Sequence, residues 1–145
     1  MLKTGTTILL IGILFGGLYS IVTLVSPQTV MDARVKAIPE LQNPVAAGAY
    51  YDEARHTGAE ALAAVIGALF ILFVGFKKGQ RWAWWAILCM GIFSWVYGQV
   101  RFIVIWDKKN IIGFPIGILL WLIGILLPIK TFFPKKPGAT PVRQP

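Results

Sequence analysis

The residues best suited to chemistry lie in one short polar segment, 51–60, with the sequence YDEARHTGAE, which contains the only histidine of the chain. If this segment is helical, residues four apart share a face, so Asp52, His56 and Glu60 align and Glu53 lies one turn before His56. A carboxylate one turn from an imidazole stabilises its charged form, an arrangement suited to acid/base chemistry or to holding a polar group. His56 and Glu60 are therefore the candidate catalytic pair.

Further polar residues are expected at the same end of the protein, from a later apolar segment that runs outward. Glu60 and Arg101 both lie about a turn or more inside apolar stretches, at matching depths, where an unpaired charge is costly, so we expect them to pair. The pair could lock two helices together, form part of a functional pocket, or be replaced by side chains that extend separately to water. The candidate ligand-binding residues are Asp52, Glu53, Tyr97, Gln99, Arg101, Trp106 and Asp107.

A metal or a cofactor is not expected from this set. One histidine with carboxylates is a weak metal signature. Glu53-Ala54-Arg55-His56 matches the Glu-x-x-His of di-iron bundles, but those sites need two such motifs, and haem held by two histidines needs a second histidine. The chain has no nucleotide-binding glycine loop, Ser/His/Asp set or CxxC, and its single cysteine, Cys89, is expected to be a small buried hydrophobic residue.

The elements that must position these residues are long and apolar. Of the 145 residues 57% are hydrophobic and 14% charged, and the mean hydropathy is +0.70, which is far from the average for soluble domains. The hydrophobic residues fall into blocks of about 18 to 24, each long enough to cross the roughly 30 Å hydrocarbon core as a helix. The sequence predicts an all-α polytopic membrane protein, a bundle of four transmembrane helices at about 6–25, 59–76, 82–105 and 111–129.

Two further segments complete the predicted organisation. A long outer loop, 26–58, joins helices 1 and 2 of a transmembrane domain spanning 1–131, and within it Pro27 to Lys36 is predicted as a short interfacial helix behind an N-cap at Ser26. Helical character resumes at Val45, so the second helix is expected to project beyond the membrane, with Gly58 as a weak point. The tail 132–145 is rich in proline and lysine and is predicted to be cytoplasmic.

The charges predict an orientation. With four spans, all six carboxylates fall on one side, together with some of the bases. The other side carries only bases: Lys3, Lys77, Lys78, Arg81, Lys130, Lys135, Lys136 and Arg143. The positive-inside rule makes this basic side cytoplasmic, with both termini, in an integral membrane protein of a bacterial inner membrane. These dispersed bases favour membrane lipids as partners and do not indicate nucleic-acid binding.

Small residues mark where helices can approach closely. Gly12-x-x-x-Gly16 in helix 1, Gly113-x-x-x-Gly117 in helix 4 and an alanine and glycine face in helix 2 fit small-xxx-small spacing. The face of helix 2 comprises Ala59, Ala63, Ala64, Gly67 and Ala68. These motifs can pack the bundle internally or bind a protein partner or a second copy. Trp82, Trp84 and Trp85 are predicted to lie at the membrane interface, whereas Trp121 lies deeper.

Two resemblances follow from these features. The four short spans, the long outer loop and the turn GQRWAWW at 79–85 resemble the small bacterial four-helix membrane proteins grouped loosely as DoxX-like, which implies the same bundle architecture. His56-x-x-x-Glu60 is similar to the His-x-x-x-Glu of the sterol-isomerase and sigma-2-receptor-like four-helix family. That similarity implies isomerase chemistry with His56 and Glu60 as acid and base.

Two functions therefore remain open. The first is a non-enzymatic membrane subunit or binding module whose outer polar site takes a lipid, a hydrophobic ligand or a partner protein. The second is a small membrane enzyme acting on a lipid or isoprenoid-like substrate, in which Arg101 orients a polar group. The sequence favours the first, since a channel or transporter lacks a continuous polar path here and the case for an enzyme depends on one small cluster.

Overall fold

The computed structural model describes residues 1–96, 100 and 108–134, and it is largely helical in these ranges, with no β-strand in them. The α-helices are α1 (Leu2–Val25), α2 (Pro27–Ala37), α3 (Pro44–Val74), α4 (Arg81–Gly91), α5 (Lys108–Leu126) and α6 (Ile129–Phe132). Short 3-10 turns occupy Pro39–Gln42 and Phe76–Lys78, and a π-helical turn, Ile92–Val96, continues α4.

Membrane-spanning helices are found at three of the four predicted places. Within the described residues, Leu2–Val25, Pro44–Lys78 and Pro115–Phe132 are long and apolar enough to cross a membrane. Large apolar side chains on them are exposed, among them Phe15, Phe70 and Leu119, as expected where lipid covers the surface. The third predicted span, 82–105, begins as α4, but most of its second half lies outside the described residues. This one of the four crossings therefore remains a prediction.

The segment predicted as a long outer loop is almost entirely helical. The short helix predicted from Pro27 is confirmed as α2. Helix α3 begins at Pro44, so the helical character predicted from Val45 is also confirmed, and the helix extends well before the membrane span placed at 59–76. Asn43 caps α3, because its side chain accepts a hydrogen bond of 2.9 Å from the Val45 amide. The predicted side-chain cap at Ser26 is absent, since its hydroxyl bonds the hydroxyl of Thr29 at 2.8 Å.

Helices α1 and α3 pack together through small residues. A Cβ added to Gly58 would lie 2.8 Å from the backbone nitrogen of Leu24 and 3.1 Å from the carbonyl oxygen of Ser20. The Ser20 hydroxyl donates to the carbonyl of Gly16 at 2.8 Å, so this buried polar group is satisfied within its own helix. Gly58, predicted as a weak point, is therefore a position where the backbones of α1 and α3 approach each other closely.

The predicted small-residue motifs mostly face away from this contact. A Cβ on Gly12 or Gly16 meets nothing within 4 Å, and the same holds for Gly67 on α3. Ala63 and Ala64 are exposed, whereas Ala68 is buried. These motifs fit the spacing rule, but α3 packs against α1 through a different face, the one that contains Gly58. The surroundings of Gly113 are outside the described part of the chain.

The main hydrophobic core lies at the basic end of the bundle, where α1, α3, α4, α5 and α6 meet. Its buried residues are Leu9, Leu72, Phe76, Ala83, Trp84, Ile87, Trp121, Ile125 and Phe132. Gly79, with φ of 72°, turns the chain between α3 and α4 in a conformation that favours glycine. The strongly basic turn predicted at this end therefore lies directly beside the core.

Two tryptophans join the helices of this core through their indole nitrogens. Trp84 Nε1 donates to the carbonyl of Ile125 at 2.9 Å, and Trp121 Nε1 donates to the carbonyl of Ile87 at 3.3 Å. Trp121 and Trp84 are both buried in the protein, whereas Trp82 and Trp85 are exposed. The interfacial depth predicted for Trp82, Trp84 and Trp85 remains a prediction. Cys89, predicted to be buried, is exposed on α4.

Candidate functional site

The polar segment 51–60 lies in the outer half of α3, a helix of 31 residues. At 1.5 Å per residue this helix is about 46 Å long and exceeds the roughly 30 Å hydrocarbon core. With Val74 near the boundary marked by Lys77, Glu60 lies about 21 Å along the helix, His56 about 27 Å and Asp52 about 33 Å. On that placement Glu60 falls inside the apolar layer, His56 close to its far boundary, and Asp52 beyond it.

His56 and Glu60 are brought together as the spacing predicted. His56 Nδ1 lies 3.5 Å from Glu60 Oε1, a separation that makes an ion pair when the imidazole is protonated. Both side chains are exposed, by 71% and 69%, on the outward surface of α3. A polar pair at this depth with so little protein around it offers a binding group to whatever covers the helix.

Asp52 is engaged elsewhere. Its Oδ1 accepts a hydrogen bond of 2.7 Å from Arg55 Nη1, three residues along the same helix. Glu53 is exposed. Of the carboxylates predicted to align with His56, Glu60 is therefore the one that contacts it. Within the described ranges, no group of three His, Cys, Asp or Glu side chains could hold a metal ion.

The outer end of α3 is attached to α2 by a polar contact. Tyr51 Oη donates to Asp32 Oδ1 at 2.6 Å, and Arg34 Nη1 donates to Tyr50 Oη at 3.2 Å. The pKa of Tyr51 is raised above its usual value of 10.0. The main cause is the hydrogen bond to Asp32, because the carboxylate favours the neutral phenol that donates to it. Burial and the negative charge of Asp32 raise the pKa further. Lys36 lies 3.8 Å from Asp32.

Sequence reasoning missed this α2–α3 contact. The signal was present, since Asp32 and Arg34 lie in a predicted amphipathic helix and two tyrosines open the next helix. No spacing rule, however, joins residues 19 apart until both helices and the turn between them are known. For the site, these contacts fix the position of the N-terminal part of α3 against α2.

The remaining predicted site residues lie outside the described residues: Tyr97, Gln99, Arg101, Trp106 and Asp107. The expected pairing of Glu60 with Arg101, and the polar mouth that these residues would complete, remain predictions. The observed partner of Glu60 is His56.

The chain was compared with known proteins at the level of family, sequence and structure. No family model matches it, and no curated protein or solved structure is similar enough to match. The resemblances to DoxX-like proteins and to the sterol-isomerase and sigma-2-receptor-like family therefore remain predictions from short motifs and architecture.

Proposed function

We propose that this protein is a small integral membrane binding module whose outer-side site, the His56–Glu60 pair, engages a transmembrane helix of a partner protein. The observation that supports the proposal is the exposure of this pair on the outward surface of a helix that is long and apolar enough to cross the membrane. An ionisable side chain at that depth is costly unless another group covers it. A partner helix that brings a cation or a hydrogen-bond donor would satisfy Glu60.

The surface below the pair supports a helix as the occupant. Ala63, Ala64 and Gly67 follow Glu60 toward the membrane centre, and a Cβ on Gly67 would meet nothing within 4 Å. Small residues let a second backbone approach closely, which strengthens packing and interhelical hydrogen bonds in lipid. A lipid or hydrophobic ligand could occupy the same surface, and the experiment below separates these cases.

The test is site-specific photo-crosslinking of the full chain in membranes, with the crosslinking residue placed at Ala63. The matched control places it at Phe15, which is exposed on α1 and distant from the pair in sequence. We expect a discrete protein adduct from position 63, reduced about tenfold by Glu60→Gln and by His56→Ala, and no comparable adduct from position 15. An adduct of twice the chain mass with this dependence identifies a second copy as the partner.

Two outcomes would contradict the proposal. The first is a protein adduct that persists unchanged when Glu60 and His56 are replaced, since the pair would then contribute nothing to recognition. The second is an adduct with phospholipid only, which would assign the surface to lipid. In both cases the variants must reach the membrane in normal amounts, and this is measured on the same samples by immunoblot.

A second candidate function is a small membrane enzyme with acid/base chemistry on a lipid or isoprenoid-like substrate. It is supported by the 3.5 Å separation of His56 and Glu60, which suits an imidazole acting with a carboxylate. His56→Ala should then abolish turnover of an added isoprenoid alcohol or sterol while the helical content and membrane level stay normal. Unchanged conversion in this variant would eliminate the catalytic role.

The proposal also includes an orientation. Lys3, Lys77 and Lys130 lie at the end of the bundle opposite to the His56–Glu60 pair. By the positive-inside rule we infer that this basic end and both termini face the cytoplasm of a bacterial inner membrane. A reporter active only outside the cytoplasm should be inactive when it is fused to the C-terminus.

A further inference from the structure

A groove of about 520 Å³ opens at the basic end of the bundle, between the first turns of α1 and the last turns of α3. This volume falls within the roughly 300–1,000 Å³ that is usual for small-molecule sites. The described residues that line it are Leu2, Lys3, Thr6, Thr7, Leu10, Phe73 and Lys77. The groove lies at the opposite end of α3 from the His56–Glu60 pair, so it is a separate surface.

The polar groups of the groove favour an anion. Lys3 and Lys77 supply two cations, and none of the described lining residues is acidic. The hydroxyls of Thr6 and Thr7 donate to the carbonyls of Leu2 and Lys3, at 2.8 and 3.0 Å. Their protons are therefore already used, and the side-chain hydrogen bonds that these lining residues offer a ligand come from the two ammonium groups.

The apolar groups of the groove lie deeper in the membrane than its charges. Leu10 follows Lys3 by about 10 Å of helix rise, and Phe73 precedes Lys77 by about 6 Å. Both lie on the membrane side of the lysines, because α1 enters and α3 leaves the apolar layer at this end. A fitting ligand must be negative at the membrane surface and hydrocarbon-like below it.

We propose that this groove binds one anionic phospholipid, with its phosphate between Lys3 and Lys77 and an acyl chain along Leu10 and Phe73. Basic pockets between transmembrane helices on the cytoplasmic side are established places for anionic headgroups. A zwitterionic lipid gains less, because its amine would meet the same two cations. The proposal goes beyond the helix-binding function and does not depend on it.

The experiment is native mass spectrometry of the full chain in neutral detergent, titrated with phosphatidylglycerol or with phosphatidylcholine of the same acyl chains. We expect one phosphatidylglycerol to bind at least about tenfold more tightly than phosphatidylcholine. Lys3→Gln and Lys77→Gln should each weaken its binding about fivefold, as one lysine near a lipid headgroup contributes about that factor. Lys77→Arg should retain most of the affinity.

The matched control is Lys78→Gln, which removes the same charge from the neighbouring residue, and Lys78 is not among the residues that line the groove. We expect less than a twofold change. An equal loss in this variant would overturn the proposal in favour of diffuse attraction to the basic end, and so would equal binding of the two lipids. Competition by glycerol 3-phosphate as strong as by the lipid would assign the site to a soluble phosphate and also overturn it. All three glutamine variants lie at exposed positions and should keep the wild-type thermal midpoint.

Discussion

The two ends of the bundle differ in how their polar and aromatic residues are used. At the basic end, Trp84 and Trp121 are buried and hydrogen-bonded to carbonyls of neighbouring helices, and Arg81 Nε donates to the Phe132 carbonyl at 2.9 Å. At the acidic end, His56 and Glu60 are exposed and contact each other within one helix. The polar groups described at the basic end therefore join different helices, whereas the contact between His56 and Glu60 joins two residues of the same helix. Polar residues whose positions are not explained by packing, such as His56 and Glu60, are the better candidates for a functional role.

The substitution that we expect to destabilise the packing at the basic end most is Gly91→Ala. A Cβ at Gly91 would overlap the indole ring of Trp121, whose Nε1 bonds the Ile87 carbonyl. Because α4 and α5 must separate to admit even one methyl group, we expect a loss of about 3 kcal/mol in unfolding free energy, at the upper end of overpacking costs. Unfolding of the full chain in mixed detergent micelles measures it.

Gly12→Ala is the matched control for this change, since a Cβ there meets nothing within 4 Å. We expect a change of less than about 1 kcal/mol, and in the stabilising direction, because alanine is favoured over glycine in a helix. Equal losses at the two positions would mean that the basic end is not the more tightly packed region.

A smaller effect at the same end is expected from Trp84→Phe. The phenyl ring keeps much of the apolar contact, including the edge-to-face packing on Phe133, but the Ile125 carbonyl loses its donor. A buried carbonyl left without this partner should cost about 1–2 kcal/mol. Trp85→Phe, at an exposed position on the same helix, should change stability by less than about 0.5 kcal/mol. Thermal unfolding followed by circular dichroism compares the two variants, and a larger loss for Trp85 would contradict the assignment.

Sequence alone predicted the helical class and three of the membrane spans, because apolar blocks of bilayer length leave few alternatives. It failed on how the helices face one another. Small-xxx-small spacing pointed to Gly12 and Gly16, whereas close approaches between helices occur at Gly5, Gly58 and Gly91. A spacing rule identifies where a backbone can approach, but the partner's shape decides which glycine is used. For the same reason Cys89 was predicted to be buried, although it is exposed.

For the candidate site, sequence predicted the part that depends on one helix. The contact of His56 with Glu60 follows from i, i+4 geometry and is present. Asp52 departs from the expected set because Arg55, one turn away, offers a stronger opposite charge. The contact of Tyr51 with Asp32 needed the tertiary arrangement of α2 on α3. Local geometry was therefore predictable, whereas contacts between helices were not.

At the acidic end we expect the interaction between the two paired side chains to contribute little to stability. His56 and Glu60 are both left more than two-thirds exposed by the protein, and side-chain hydrogen bonds within membranes contribute about 0.6 kcal/mol on average. A double-mutant cycle with His56→Ala and Glu60→Gln should thus give a coupling below about 1 kcal/mol. The predicted pairing with Arg101 is tested in parallel, since Arg101→Leu should then destabilise more than Arg101→Leu with Glu60→Leu. Equal losses in that pair would argue against Arg101 as the partner of Glu60.

The smallest effect concerns the attachment of α2 to α3, and it depends on pH. The hydrogen bond to Asp32 raises the pKa of Tyr51 in the folded protein above 10.0, so folding favours the protonated phenol. This contribution is complete below the unfolded pKa, near pH 10, and is lost as the pH rises through the folded pKa.

We expect hydrogen exchange in Pro27–Ala37 to show the same protection at pH 7 and pH 9 after correction for intrinsic rates. Protection should be reduced in Tyr51→Phe at both pH values, while α5 is unaffected. In Asp32→Asn, phenolate absorbance assigned to Tyr51 by difference from Tyr51→Phe should appear at lower pH than in the wild type. An unchanged titration in Asp32→Asn would show that Asp32 is not the group that holds Tyr51 neutral.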